Sequence, residues 1–162
     1  MDIGIGLFGL GTVGSGVVKI LQDNADQIAK RTGTHLLVKH AVVNNLEKKR
    51  TGFINNFPIT NDAKDILNNP EIQIVVEVMG TLDQAYKIIK DSLTAKKHVV
   101  TANKDLIASR GQELVAIAEA NGVDLFFEAA VAGGIPILRT LANSFTADEI
   151  SRRSEERRVG KE

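Results

Sequence analysis

The opening stretch of the chain, residues 3–21, constrains the fold more than any other part of the sequence. Residues 3–8 form a short apolar run that is typical of a buried β-strand. A glycine-rich turn follows at residues 9–14, and then comes a helical pattern whose apolar face carries Val13, Val17, Ile20 and Leu21. This order predicts a strand, a tight turn at its carboxyl end, and an amphipathic helix.

The turn has the spacing GxGxxG, supplied by Gly9, Leu10, Gly11, Thr12, Val13 and Gly14. In a dinucleotide-binding turn the first glycine allows the sharp bend, the second lets the backbone approach a pyrophosphate, and the third lets the helix pack closely. The phosphates then lie against free N–H groups at the positive end of the helix dipole. A turn that binds nothing is the alternative, but the flanking strand and helix favour a Rossmann-type unit that binds NAD or NADP.

Composition limits the classes of partner. The 162 residues have room for one ordinary domain, and 43% hydrophobic with 25% charged residues is a globular composition. Twenty basic residues balance 20 acidic ones, so no overall field attracts nucleic acid or an acidic membrane. No apolar run approaches the length of a membrane span.

The chain has no cysteine, which excludes disulfides, thiolate metal sites and a cysteine nucleophile within these residues. That absence is compatible with a reducing cytosol. Met1 and Asp2 lead directly into the first strand, so we expect no signal peptide and a cytoplasmic location.

Strand and helix patterns alternate along the rest of the chain. After one helix reaching to about residue 30, strands are predicted at residues 36–43, 72–79, 99–101 and 123–128. Helical patterns separate them, Asn121 and Gly122 stop the fourth helix, and Pro136 fits the first turn of the last one. The sequence therefore predicts an α/β fold in one domain, a Rossmann-type doubly wound parallel sheet.

The residues after the second strand bear on the choice of cofactor. A fold that prefers NAD usually places an acidic residue there, on the adenosine ribose. This chain has Asn44 and Asn45 instead, followed by Lys48, Lys49 and Arg50. Two interpretations stay open: a solvated basic turn, or a pocket in which Asn44, Lys48 and Arg50 meet the 2′-phosphate of NADP.

Four stretches resemble the homoserine dehydrogenases: residues 9–21, 75–81, 97–108 and 127–142. The last two, KHVVTANKDLIA and FEAAVAGGIPILRTLA, are far more specific than the glycine turn. The resemblance covers about residues 3–150. It implies an NAD(P)-dependent oxidoreductase that interconverts homoserine and aspartate semialdehyde in threonine and methionine biosynthesis, with a full-length form that is a homo-oligomer.

The same resemblance implies roles for the residues around TANK. Lys104 resembles the active-site lysine that handles the proton of the substrate hydroxyl, and the resemblance also gives it, with Gly80, Thr101 and Asn103, a cofactor contact. A lysine in that role needs burial or a nearby cation to lower its pKa. The alternative is an ordinary solvated turn residue.

A monovalent cation site is also implied, with the Glu128 carboxylate and the carbonyls of Val131, Gly133 and Ile135 as ligands. Such a set of oxygens suits a hard, sodium-like ion. The alternative is a carboxylate that ends a strand and faces water.

The resemblance stops abruptly near Ile150. The family continues into a dimerisation and catalytic region that these residues do not contain, so we expect residues 1–150 to be the cofactor domain of a protein whose catalytic domain is missing here. Residues 151–162, SRRSEERRVGKE, form a charged tail without a core face and do not look native. A non-catalytic NAD(P)-binding module is the alternative function. The cysteine-dependent semialdehyde dehydrogenases share the fold, but this chain lacks their nucleophile.

Overall fold

The computed structural model describes residues 2–48 and 56–145, and the chain folds there around one parallel sheet. Its six strands lie in the order β3-β2-β1-β4-β5-β6. Their bounds are β1 (Asp2–Phe8), β2 (His35–Val42), β3 (Ile59–Thr60), β4 (Ile72–Glu77), β5 (His98–Thr101) and β6 (Leu125–Phe126). The predicted doubly wound α/β fold is confirmed.

Six α-helices connect or follow the strands in the described residues. They are α1 (Thr12–Asp23), α2 (Ala25–Thr32), α3 (Lys64–Leu67), α4 (Asp83–Thr94), α5 (Lys104–Asn121) and α6 (Ile137–Ser144), with a short 3-10 helix at Glu128–Ala130. Gly122 ends α5 in the left-handed conformation, as expected from the sequence.

The strand order determines where a ligand can bind. The chain starts at β1 in the middle of the sheet, moves outward through β2 and β3, and then returns to β4 on the other side of β1. The order therefore reverses between β1 and β4. In open α/β sheets the crevice beyond the carboxyl ends of the strands at this switch point is the usual binding site.

Two hydrophobic clusters hold the sheet, one on each face. Helices α3, α4 and α5 cover one face with residues such as Ile66, Ile89 and Leu114. Helix α1 covers the other, where Val18 packs with Leu7 and Ala41 from the strands. Burial on both faces explains why the central strands are almost continuously apolar.

The helix predicted to run from the glycine turn to about residue 30 is two helices, because the chain breaks at Asn24 between α1 and α2. The predicted inward face of α1 is also wrong in part. Gly14 and Val18 are the buried residues, whereas Val13 is 57% and Ile20 60% exposed. Close contact at Gly14 rotates the helix so that the row of residues 14 and 18 faces the sheet.

The last predicted strand is shorter than expected. β6 contains only Leu125 and Phe126, and Glu128 begins a 3-10 helix instead of ending the strand. Pro136 is the residue before α6 rather than its first turn. Glu128 does not extend the strand because its carboxylate accepts hydrogen bonds from N–H groups in the first turn of α6. The predicted boundary at residue 150, the tail at 151–162 and Arg50 lie outside the described residues.

One polar group is buried at the opposite, amino edge of the sheet. Lys97 is 5% exposed, and its Nζ donates to the carbonyl oxygens of Asn69 and Ile72, each at 2.7 Å. Burial lowers the pKa of this ammonium group. Among residues 2–48 and 56–145, no helix is long and apolar enough to cross a membrane.

Candidate functional site: two cavities at the carboxyl edge of the sheet

The glycine turn has the geometry that its sequence predicts. Gly9 adopts φ of +102°, a conformation that side chains disfavour. A Cβ on Gly14 would lie 2.1 Å from the carbonyl oxygen of Gly9, so any side chain there would force the helix away from the turn. Gly11 is different, because an added Cβ would meet no atom within 4 Å. The open space beside Gly11 is where a ligand can approach the backbone.

Helix α1 begins without a side-chain cap at Gly11 and without an acidic residue in its first turn. The first N–H groups of a helix have no partner within the helix, so those of α1 are available to an acceptor from outside the chain. Negative charge is stabilised at such a helix end. Thr12 and Val13 are exposed there. This start of α1 fits a phosphate group.

The β1–β2 cavity lies beside the turn, at the carboxyl ends of β1 and β2. It has a volume of about 160 Å³ and is lined by residues that include Gly9, Leu10, Gly11, Asn44, Asn45 and Lys48. Asn44 and Lys48 are exposed. The structure thus brings the predicted glycine turn together with Asn44 and Lys48, two of the three residues on which the choice of cofactor was predicted to depend.

The β4–β5 cavity lies at the carboxyl ends of β4 and β5 and has a volume of about 270 Å³. It brings Val13 of the glycine turn together with Gly80, Asn103 and Lys104, three of the residues to which the resemblance gave a cofactor contact. Lys104 is the first residue of α5 and is exposed. The described residues therefore do not provide the burial that is one of the two conditions, with a nearby cation, of the proton-handling hypothesis.

Asn103 and Thr101 have defined partners of their own. The Asn103 side chain caps α5 by accepting from the Leu106 N–H at 3.2 Å, and it donates to the Thr81 carbonyl at 2.8 Å. The Thr101 hydroxyl is fully buried, donates to Glu77 at 2.7 Å and accepts from the Asn103 N–H at 3.0 Å. Asn103 lines the β4–β5 cavity, and the buried Thr101 holds Asn103 in place through its hydroxyl.

Glu77 is the residue of this region that sequence reasoning missed. Its side chain is fully buried at the end of β4, and it accepts hydrogen bonds from Thr101 and from the Met79 N–H at 2.8 Å. The signal was a single carboxylate within the apolar run IQIVVEVM. A charged side chain in a strand buried on both faces needs specific partners, and that requirement could have indicated it.

The predicted cation ligands lie apart from both cavities. The two Glu128 oxygens accept from the N–H groups of Leu138 and Arg139 at 2.9 and 3.0 Å. The Ile135 carbonyl accepts from the Ile137 N–H at 2.8 Å. In this structure both oxygens of the Glu128 carboxylate are therefore bound by N–H groups at the start of α6, the positive end of its helix dipole.

An open α1 terminus, a glycine turn and two cavities at the strand switch point define a dinucleotide-binding domain of the Rossmann class. The sequence profile described as "Homoserine dehydrogenase, NAD binding domain" matches residues 9–128. The chain therefore belongs to the family of homoserine dehydrogenase NAD-binding domains.

Individual proteins are similar over nearly the whole chain. The homoserine dehydrogenase of Bacillus subtilis is 48% identical over 150 residues, which are 93% of this chain and 35% of that protein. The one from Lactococcus lactis is 43% identical over 155 residues, 93% of this chain and 36% of the relative. The chain thus spans about a third of the length of the curated relatives that it matches.

Solved structures agree with the fold. The crystal structure of a homoserine dehydrogenase from Thiobacillus denitrificans superposes with a TM-score of 0.85 at 45% identity, covering 91% of this chain and 34% of that one. A hyperthermophilic archaeal homoserine dehydrogenase in complex with NADPH has a TM-score of 0.67 at 23% identity, covering 87% of this chain and 48% of the other. At that identity, the second comparison shows the fold alone.

Proposed function

We propose that this chain supplies the cofactor-binding part of an NAD(P)-dependent homoserine dehydrogenase, which interconverts homoserine and aspartate semialdehyde. Cofactor binding is supported by the pair of cavities on either side of the strand switch point, next to the uncapped start of α1, and the reaction is supported by the family match over residues 9–128. Threonine, methionine and isoleucine biosynthesis, a cytoplasmic location and self-association of the longer protein belong to the same proposal.

The bound cofactor would accept or supply hydride, and the residues of this chain would hold it. The N–H groups at the start of α1 bind the pyrophosphate, and Gly11 leaves the space for it. Asn44 and Lys48 face the adenosine end and favour NADP, because the described residues that line the β1–β2 cavity include Lys48 and no acidic residue. Arg50, which lies outside the described residues, is assigned to the same phosphate.

At the other end of the cofactor, Gly80, Thr101 and Asn103 form the nicotinamide side, the first and third of them as lining of the β4–β5 cavity. Lys104, at the mouth of this cavity, holds the proton of the substrate hydroxyl. Lys104 is exposed in this chain. In a protein as long as the relatives, the region that this chain does not include would have to cover it.

A binding module without turnover is the second candidate for these 162 residues by themselves. The exposure of Lys104 favours it, since an acid or base that faces water is poorly placed to act on a substrate held out of water. We expect this chain alone to bind the cofactor and to leave homoserine unoxidised.

The sodium-like cation predicted at Glu128, Val131, Gly133 and Ile135 fits the described structure poorly. A cation would have to share both Glu128 oxygens with the start of α6, whose dipole repels positive charge. No step of the proposed function depends on this ion.

Calorimetric titration of the 162-residue chain with NADPH and NADH tests the proposal. We expect binding of at least one of them. Gly11→Ala should weaken it at least about tenfold, because the methyl group fills the space assigned to the pyrophosphate. The variant should unfold at the same temperature as the wild type, since the Cβ meets no protein atom within 4 Å.

Gly16→Ala is the matched control in the same titration, because Gly16 lies within α1 and an added Cβ there would also meet no atom within 4 Å. It should leave the dissociation constant nearly unchanged. Absence of binding by the wild-type chain, or full binding by Gly11→Ala, would contradict the proposed function.

A further inference from the structure

The buried Glu77 carboxylate joins the loop after β4 to the end of β5. Its Oε1 accepts from the Met79 N–H at 2.8 Å, in the loop that follows β4. Its Oε2 accepts from the Thr101 hydroxyl at 2.7 Å, at the end of β5. Glu77 and Thr101 are direct neighbours in the parallel pairing of the two strands. One side chain therefore holds both sides of the β4–β5 cavity.

The connection continues to the start of α5. The Thr101 hydroxyl accepts from the Asn103 N–H at 3.0 Å, and the Asn103 side chain caps α5 at Leu106. The same side chain donates to the Thr81 carbonyl at 2.8 Å, which returns the chain of hydrogen bonds to the loop after β4. Lys104 follows Asn103 directly, so this closed circuit also determines where α5 begins.

The donor and acceptor roles in this circuit leave few residues that could replace Glu77 or Thr101. Both Glu77 oxygens accept, and the Thr101 hydroxyl uses its only hydrogen toward Glu77 while it accepts from Asn103. In Glu77→Gln an NH2 group would replace one carboxylate oxygen. This donor would then face another donor, either the Met79 N–H or the Thr101 hydroxyl. Because Glu77 and Thr101 are fully buried, water cannot repair the mismatch.

We infer that Glu77 is a positioning residue that sets the nicotinamide end of the cofactor site through Thr101 and Asn103. The inference rests on the proposed function, since it presumes that the β4–β5 cavity receives the nicotinamide. Glu77 itself is buried and lines neither cavity among the described residues. Its influence should therefore appear at one end of the cofactor and be absent at the other.

NADH and ADP-ribose separate the two ends, because ADP-ribose has the adenosine and pyrophosphate of NADH but lacks the nicotinamide. For Glu77→Gln in the 162-residue chain we expect NADH to bind about tenfold more weakly, the size of a moderate coupling within one hydrogen-bond network. ADP-ribose should bind within about twofold of the wild-type affinity, and the fluorescence of the bound reduced nicotinamide should change.

Substitutions at Thr101 and Ser92 provide the controls. Thr101→Val removes the hydroxyl at nearly constant shape and should reproduce the selective loss of NADH affinity, whereas Thr101→Ser should restore it. Ser92→Ala removes another fully buried hydroxyl, which donates to the Ile88 carbonyl at 2.7 Å within α4, away from both cavities. It should change neither affinity.

The outcomes separate the inference from the proposed function. If wild-type chain binds neither NADPH nor NADH, the proposed function fails and the inference fails with it. If it binds NADPH alone, NADPH and 2′-phospho-ADP-ribose replace NADH and ADP-ribose in the same comparison. If the wild type binds both and Glu77→Gln weakens them equally, or weakens neither, the positioning role is overturned while the proposed function stands. Should Glu77→Gln fail to fold, the same comparison on Thr101→Val decides.

Discussion

The two cavities at the carboxyl edge of the sheet are built in different ways. The β1–β2 cavity depends on backbone: a glycine turn, a helix start without a cap, and space where a side chain is absent. The β4–β5 cavity depends on side chains, which are joined through Glu77, Thr101 and Asn103. The β1–β2 cavity can therefore be predicted from a sequence motif, whereas the β4–β5 cavity can be recognised only when the pairing of the strands is known.

The largest expected effect concerns the backbone-built side. In Gly14→Ala the new Cβ would lie 2.1 Å from the Gly9 carbonyl oxygen, so α1 must shift. We expect a loss of about 3 kcal/mol in the free energy of unfolding, measured by urea denaturation, together with loss of NAD(P)H binding.

Gly16→Ala is the matched control for this prediction, since Gly16 lies in the same helix and an added Cβ would meet no atom within 4 Å. This change should raise stability by about 0.5–1 kcal/mol through helix propensity alone. Equal effects of the two substitutions would show that close packing at Gly14 is not what holds the turn.

A second prediction separates stability from binding at the amino edge of the sheet. Lys97→Met removes the buried donor to the Asn69 and Ile72 carbonyls, of which the Asn69 carbonyl keeps the Ile72 N–H at 3.2 Å, and should cost about 1–2 kcal/mol in the free energy of unfolding near neutral pH. Cofactor affinity should not change, because Lys97 lies at the edge opposite to both cavities. Urea denaturation and titration of the same sample test both statements.

The pH dependence of Lys97 has a definite sign. Burial lowers the pKa of Lys97 in the folded chain below its usual 10.5, so the unfolded chain binds more protons between the two values. The contribution of Lys97 to stability should therefore increase as the pH rises from the lowered pKa toward 10.5. The difference between wild type and Lys97→Met should show this increase, and a decrease in the same window would contradict the assignment.

The third prediction tests the adenosine end. Lys48→Ala should weaken NADPH about tenfold, as expected for the loss of one charge-assisted contact with a phosphate, and should change NADH affinity less than about twofold. Lys19→Ala removes the same charge from the exposed side of α1, where Lys19 pairs with Asp23, and serves as the control. An equal loss of affinity for NADPH and NADH would contradict a contact between Lys48 and the 2′-phosphate.

The smallest expected effect is at α6. Glu128→Gln removes the negative charge from the helix start and should cost about 1 kcal/mol in the free energy of unfolding. Exchange of sodium for choline chloride at constant ionic strength should leave the unfolding midpoint unchanged. A stabilisation by sodium that disappears in Glu128→Gln would instead support the cation site.

The sequence predicted the fold well because each βα unit carries its own local signals. The run before Gly9 and the stop at Gly122 depend on neighbouring residues only, and both agree with the structure. The orientation of α1 depends on the contact between Gly14 and the turn, which periodicity does not encode.

The candidate site divides in the same way. Residues within one motif, such as Gly9 and Gly11, could be predicted, and resemblance supplied Lys104. The link from Glu77 to Thr101 could not be derived, since Thr101 is 24 residues away and meets Glu77 only through the pairing of β4 with β5. The same holds for Glu128, whose partners belong to a later helix.

The most direct test of the account is a titration of the isotope-labelled chain with NADPH, followed by amide chemical shifts. If one dinucleotide spans both cavities, shifts should concentrate at the amides of residues 10–13, 44–48, 79–81 and 102–104, with little change at the amino edge around Lys97. Shifts confined to one cavity, or centred away from the carboxyl edge of the sheet, would contradict the claim that the two cavities form one cofactor site.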